Sequence, residues 1–128
     1  MIYLNMNDMR YRKETMKSPV GESVRYYLVA KDTLSLREIA ERIEAKRNVS
    51  AIDTMRVIWN FFEEITPMLA EGNRIEITDY CTLSPIIKKG KDGKPNFGGI
   101  QLNLIGTMRK EMADIQLKEC LNTDKTVE

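Results

Sequence analysis

Histidine is missing from all 128 residues. Its absence removes Ser-His-Asp and Cys-His catalysis, His-containing zinc sites and the commonest general base near neutral pH. Cysteine is scarce: only Cys81 and Cys120 are present, far apart and without CxxC spacing. A disulfide framework or redox pair is therefore unsupported, and packed, reduced thiols are expected. Glycine-rich phosphate loops of the GxxxxGK[ST] or GxGxxG kind are lacking too. No apolar run approaches the roughly 20 residues of a membrane helix, and no secretory signal is read at the start of the chain. Together these absences predict no enzymatic activity, no cofactor, no metal, no small-molecule substrate and no membrane partner.

What remains is an ordinary globular mixture, 42% apolar and 30% charged, in one domain's length of chain. The net charge of +1 hides an uneven distribution. Residues 1–34 carry +2 and residues 35–83 carry −3. Residues 84–110 hold Lys88, Lys89, Lys91, Lys94, Arg109 and Lys110 against Asp92 alone, a net +5, and the remainder returns to −3. Charge per segment bears on partners more than charge per chain does.

Residues 9–16 and 24–30 are rich in Tyr, Val and Thr and flank turn chemistry at 17–22, which predicts a pair of strands. Arg10, Arg12 and Lys13 are read first as residues that keep an edge strand soluble, and second as phosphate contacts. A capping box, Ser35-Leu36-Arg37-Glu38, opens a helix whose stripe is Leu36, Ile39, Ala40 and Ile43, closed by Asn48. Ser50 and Asp53 open a second helix that runs to about residue 71, with Gly72 as its stop and a kink expected at Pro67. Its apolar arc is too wide for one short neighbour. Met55, Trp59, Phe61, Phe62, Ile65 and Leu69 predict a core shared with a second copy. Residues 74–78 alternate as a strand, 79–82 read as a turn and 83–89 as another strand. Asp92-Gly93 signals a two-residue hairpin turn, and Gly98-Gly99 permits a bulge in the returning strand over 94–105. Met108, Met112, Ile115 and Leu121 suggest a last amphipathic helix, with residues 122–128 loose.

The segment 35–83 resembles the HU/IHF family of bacterial histone-like DNA-binding proteins without a gap. The family's helix–Leu-Ser-x-x-Asp–helix junction is matched by Val49-Ser50-Ala51-Ile52-Asp53, and its Phe, Thr, Leu and Gly by Phe61, Thr66, Leu69 and Gly72. Its G-x-x-V-x-L-x-G-F-G-T-F signature is matched from Gly72 through Ile75, Ile77, Asp79, Tyr80, Cys81 and Thr82 to Leu83. Asp79 and Cys81 replace the two glycines of the turn, and Asp accepts positive φ more readily than Cys. The arm is shorter than the family's usual one and lacks its Arg-Asn-Pro tip, Lys94-Pro95-Asn96 being the nearest thing present, and Pro85 is read as interrupting the strand that leads into it. The extension ahead of the first helix is similar to that of divergent HU-like proteins of Bacteroidetes.

The resemblance implies an α+β, IHF-like DNA-binding fold: two N-terminal helices, an antiparallel sheet with a protruding β-hairpin arm, a C-terminal helix, and an intertwined homodimer. It implies a strand extension over 1–34, an HU/IHF-like domain over 35–121 with its arm at about 84–105, and a tail over 122–128. It further implies low-specificity double-stranded DNA binding by a nucleoid-associated protein of the cytoplasm that condenses DNA. Lys88, Lys89, Lys91, Lys94, Arg109 and Lys110 would hold phosphates, and Pro95 or Phe97 would supply an apolar wedge. The alternative is a dimeric scaffold of this kind that has lost DNA binding and serves as a protein-interaction module.

Overall fold

The computed structural model describes residues 9–120; the expected loose tail, residues 122–128, lies outside the described residues, as does Leu121. The elements in chain order are β1 (Met9–Ser18), β2 (Gly21–Leu28), α1 (Leu36–Arg47), α2 (Ala51–Ala70), β3 (Ile75–Ile77), β4 (Cys81–Lys89), β5 (Pro95–Leu104), α3 (Gly106–Ala113) and β6 (Leu117–Glu119). They group into two compact units. Leu34–Arg109 form one, and the N-terminal strands with the residues from Lys110 onward form the other.

The helices of the larger unit start where the sequence places them. Ser35 Oγ accepts from the Glu38 backbone N–H at 3.2 Å and itself donates to Glu38 Oε1 at 3.3 Å, so the box closes between its own side chains. Asn48 ends α1 in the left-handed conformation, φ 59°, and its N–H donates to Glu44 O. Ser50 Oγ accepts from the Asp53 N–H to start α2. Pro67 lies inside α2, which continues past it: the Glu71 N–H still donates to Pro67 O at 3.1 Å. Ala40 of α1 is fully buried, and its small side chain suits the close packing of α1 on α2.

The sheet of this unit has the order β3-β4-β5, all antiparallel. Strand β4 starts at Cys81, two residues earlier than the sequence suggests, because Cys81 is not one of the positive-φ positions. Asp79 is, at φ 71°. One left-handed residue therefore makes the whole reversal, and the Tyr80 N–H closes it on Ile77 O at 2.9 Å. Pro85 does not interrupt β4. It pairs with Ile100 at a point where β4 has passed the end of β3, and proline is accommodated on such an open edge.

In the smaller unit β1 pairs antiparallel with β2 across a two-residue turn, tighter than the six-residue link the sequence suggests. Ser18 pairs directly with Gly21 and Pro19 presets the corner. The last helix is shorter than expected. It ends at Ala113, Ile115 falls outside it, and Leu117–Glu119 form a strand parallel to β1. That strand makes β1 the centre of a β2-β1-β6 sheet. The role of Arg10 as a protector of an edge strand is corrected accordingly; β6 reaches only to Tyr11, so among the described residues the side of β1 at Arg12 and Lys13 remains an edge.

Candidate nucleic-acid interface

The basic segment occupies the far end of the β4–β5 hairpin. Lys88 and Lys89 end β4, Lys91 sits in the loop, and Lys94 leads into β5; all four are exposed. The turn is not the two-residue type that Asp92-Gly93 suggests. Gly93 has φ 79° but Asp92 is not left-handed, so the mirror-image turn, which needs both, cannot form. The Gly93 N–H instead donates to Gly90 O at 3.0 Å and the Gly90 N–H to Lys94 O at 2.8 Å. This is a three-residue loop with a left-handed third residue, and Asp92 Oδ1 accepts from the Lys94 N–H at 2.9 Å to hold it.

The register decides which way the side chains point. Cys81, Leu83, Pro85 and Ile87 share a face with Leu104, Leu102, Ile100 and Phe97, while Thr82, Ser84 and Lys88 share the other with Asn103, Gln101 and Asn96. The apolar positions of β5 change phase between Phe97 and Ile100. The expected bulge absorbs that change: Ile86 pairs with Gly99 and Ile87 with Phe97, leaving Gly98 as the extra residue. Gly99 takes φ 111°, a conformation L side chains avoid. The Lys88 stem crosses Gly98 so closely that a Cβ there would stand 2.5 Å from Lys88 Cγ. Lys88 and Lys89 consequently project from opposite faces of the ribbon, and Pro95 is across from Lys89.

The apolar face of the hairpin and helix α2 wall a groove of about 870 Å³. Phe62, Ile65 and Leu69 line it from the helix, and Pro85, Ile87, Phe97 and Ile100 from the hairpin. Ile65 is 5% exposed, whereas Trp59 and Phe62 are 54% and 53% exposed. Met55, Phe61 and Leu69 are half-buried. Of the residues expected at a shared core, Ile65 is thus covered within the chain, and the others keep apolar surface uncovered.

Arg109 and Lys110 lie on α3, beyond the other end of β5. The ten residues of β5 separate Arg109 from the loop, so the structure does not bring it together with the four hairpin lysines; Lys110 belongs to the other compact unit. Two further residues build the base of the hairpin and escape sequence reasoning. Gly106, at φ 52°, approaches the Asp79 backbone so closely that a Cβ would stand 2.8 Å from Asp79 Cα. The Met108 N–H donates to Asp79 O at 3.0 Å and ties the start of α3 to the turn before β4. The only sequence signal for this contact is the glycine itself. Among the described residues no cluster of His, Cys, Asp or Glu could hold a metal. Cys81 and Cys120 are both free and buried.

No curated protein matches the sequence significantly. Thirteen chains of solved structures are similar to it. One is a provisionally assigned bacterial DNA binding protein from Bacteroides vulgatus ATCC 8482, with TM-score 0.63 and 12% identity over 88% of this chain. At that identity the likeness concerns the fold, a mixed α+β arrangement with antiparallel sheets. The chain spans 48% of that protein's length. The sequence profile of the family described as bacterial DNA-binding protein matches residues 34–104, more than half of the chain and both helices and the hairpin of the larger unit. With its capped helix pair, its left-handed Asp79 turn and its lysine-ended hairpin all inside that match, the chain belongs to the bacterial DNA-binding protein family, the HU family.

Proposed function

We propose that the chain binds double-stranded DNA with little sequence preference, as a non-enzymatic architectural protein of the cytoplasmic nucleoid, through the basic arms of a homodimer. The observation that carries this reading is the concentration of Lys88, Lys89, Lys91 and Lys94 at the end of a thin two-stranded ribbon within the family match. Cations on both faces of such a ribbon suit a groove whose two walls are phosphate. Each phosphate neutralised releases counterions, which favours binding without reading any base.

The dimer supplies the second arm. The exposed flank of α2 at Trp59 and Phe62 and the apolar groove beside it need a cover of matching chemistry, and the same surface of a second copy provides it. Pro95 and Phe97 both line that groove. Pro95 is the nearer of the two to the loop, which makes it the first candidate to press on a base step. A wedge costs a few kcal/mol of unstacking, which a short arm offsets poorly, so weak bending is the expected outcome. Arg109, at the other end of β5 from the loop, and Lys110 would hold further phosphates.

Replacing Lys88, Lys89, Lys91 and Lys94 together with Gln tests the assignment. Gel shifts should show binding weakened to the same extent on duplexes of unrelated sequence. Unchanged affinity would move the site off the arm. Failure of the unsubstituted protein to bind at low salt would favour the alternative, a dimeric scaffold without DNA binding, to which the missing Arg-Asn-Pro tip also points.

A further inference from the structure

The two consecutive glycines of the arm's bulge are glycines for opposite reasons. Gly99 takes φ 111°, yet nothing lies within 4 Å of the place its Cβ would fill, so the backbone alone requires it. Gly98 has no positive φ, and backbone strain does not require glycine there. Space does: a Cβ would stand 2.5 Å from Lys88 Cγ, 2.9 Å from Lys88 Cδ and 3.2 Å from Lys88 Cβ. Strand pairing fixes the Lys88 Cβ, so relief has to come from turning the stem about its first side-chain torsion.

Register sets the direction in which that stem lies. Lys88 is opposite Asn96, and Gly98 is two residues further toward the base of the hairpin. A stem lying over Gly98 therefore leans back along the ribbon, away from the loop. Asn96 leans the other way, its carboxamide covering Gly90, a second arm glycine without positive φ. The cross-strand pair is thus parted, and Lys88 rests on bare backbone. Among the described residues no carboxylate pairs with it: Asp92 Oδ1 accepts from the Lys94 N–H, and the ion pairs join Arg12 to Glu14 and Arg56 to Asp53. A freely moving lysine loses rotamer freedom when it takes a phosphate, and a stem already confined against a strand loses less.

We propose that Gly98 is a positioning residue for DNA binding. Its missing side chain leaves a shelf on β5 that confines the Lys88 stem to the polar face of the arm and directs the ammonium to a backbone phosphate further from the loop than those held by Lys89, Lys91 and Lys94. This rests on the DNA-binding reading above and names the residue through which one of its four lysine contacts is set.

The test is a double-mutant cycle of Lys88→Ala and Gly98→Ala in the full chain, titrated onto a fluorescein-labelled duplex of about 30 base pairs and read as log K against log KCl. The four-lysine arm variant is run beside them, and circular dichroism melts follow folding. Gly98→Ala keeps every charge, yet it should lower affinity at low salt at least roughly threefold and reduce the slope by about 1 to 2 units, matching Lys88→Ala, because two arms each forfeit one phosphate. The double variant should lose no more than Lys88→Ala alone, since the added methyl then has no stem to displace. A melt lowered by Gly98→Ala should be restored in the double variant. Unchanged binding by either single variant, additive losses in the double variant, or a melt lowered equally in Gly98→Ala and the double variant overturns the proposal while leaving the arm reading in place. Unaltered binding by the four-lysine variant, or no binding by the unsubstituted protein, removes the arm reading and the proposal with it.

Discussion

At Gly106 a single hydrogen atom in place of a side chain decides whether the hairpin has a base. Gly106→Ala forces a Cβ onto the Asp79 backbone at a positive φ, where no flexible side chain can give way. A loss of about 1–3 kcal/mol in urea denaturation is expected. Asp79→Gly, by contrast, removes strain at φ 71° and should change stability by less than about 1 kcal/mol. Ser50→Ala removes the acceptor for the Asp53 N–H and should cost about 1 kcal/mol in the same assay. The caps and the lysines are legible in the sequence because each acts through its own chemistry or through neighbours three residues away. The Gly106–Asp79 approach is not legible, since it depends on two backbones meeting across 27 positions.

The elements divide in the same way. Helices α1 and α2 follow from local periodicity and caps, and the hairpin bulge from two consecutive glycines and a change of apolar phase between Phe97 and Ile100. The last helix misleads: Met108, Met112 and Ile115 share helical spacing, yet the chain leaves the helix after Ala113. Three residues of strand cannot persist alone, and Leu117–Glu119 do so because the open side of β1 offers a ladder more than a hundred residues earlier in the chain. No window of sequence contains both partners. At this scale the bulge is the feature to test. Gly99→Val places a β-branched residue at φ 111°, which should cost about 1–3 kcal/mol. Amide hydrogen exchange should accelerate in β4 and β5 and stay unchanged in α1 and α2. Uniform acceleration would show that the arm is not a separable element.

For the whole molecule, the wide apolar surface of α2 is evident from sequence, whereas the groove it shares with the hairpin depends on how strands β4 and β5 pair. Trp59 is the only tryptophan and is half exposed in the single chain. Burial against a second copy should shift its emission to the blue as concentration rises, and Phe62→Asp should abolish both the shift and the dimer mass. The net charge of +1 likewise misrepresents the molecule. Four of its cations are gathered at a hairpin end beside the single acid Asp92, so steering and contact are set by position and not by the total.

Sequence-independent gripping of duplex DNA is tested most simply by the salt dependence of binding by the unsubstituted protein to two duplexes of unrelated sequence. Two arms of four lysines predict one straight line for both duplexes, log K against log salt, with a slope of about −7. A flat line, or a line for only one of the two duplexes, would contradict it.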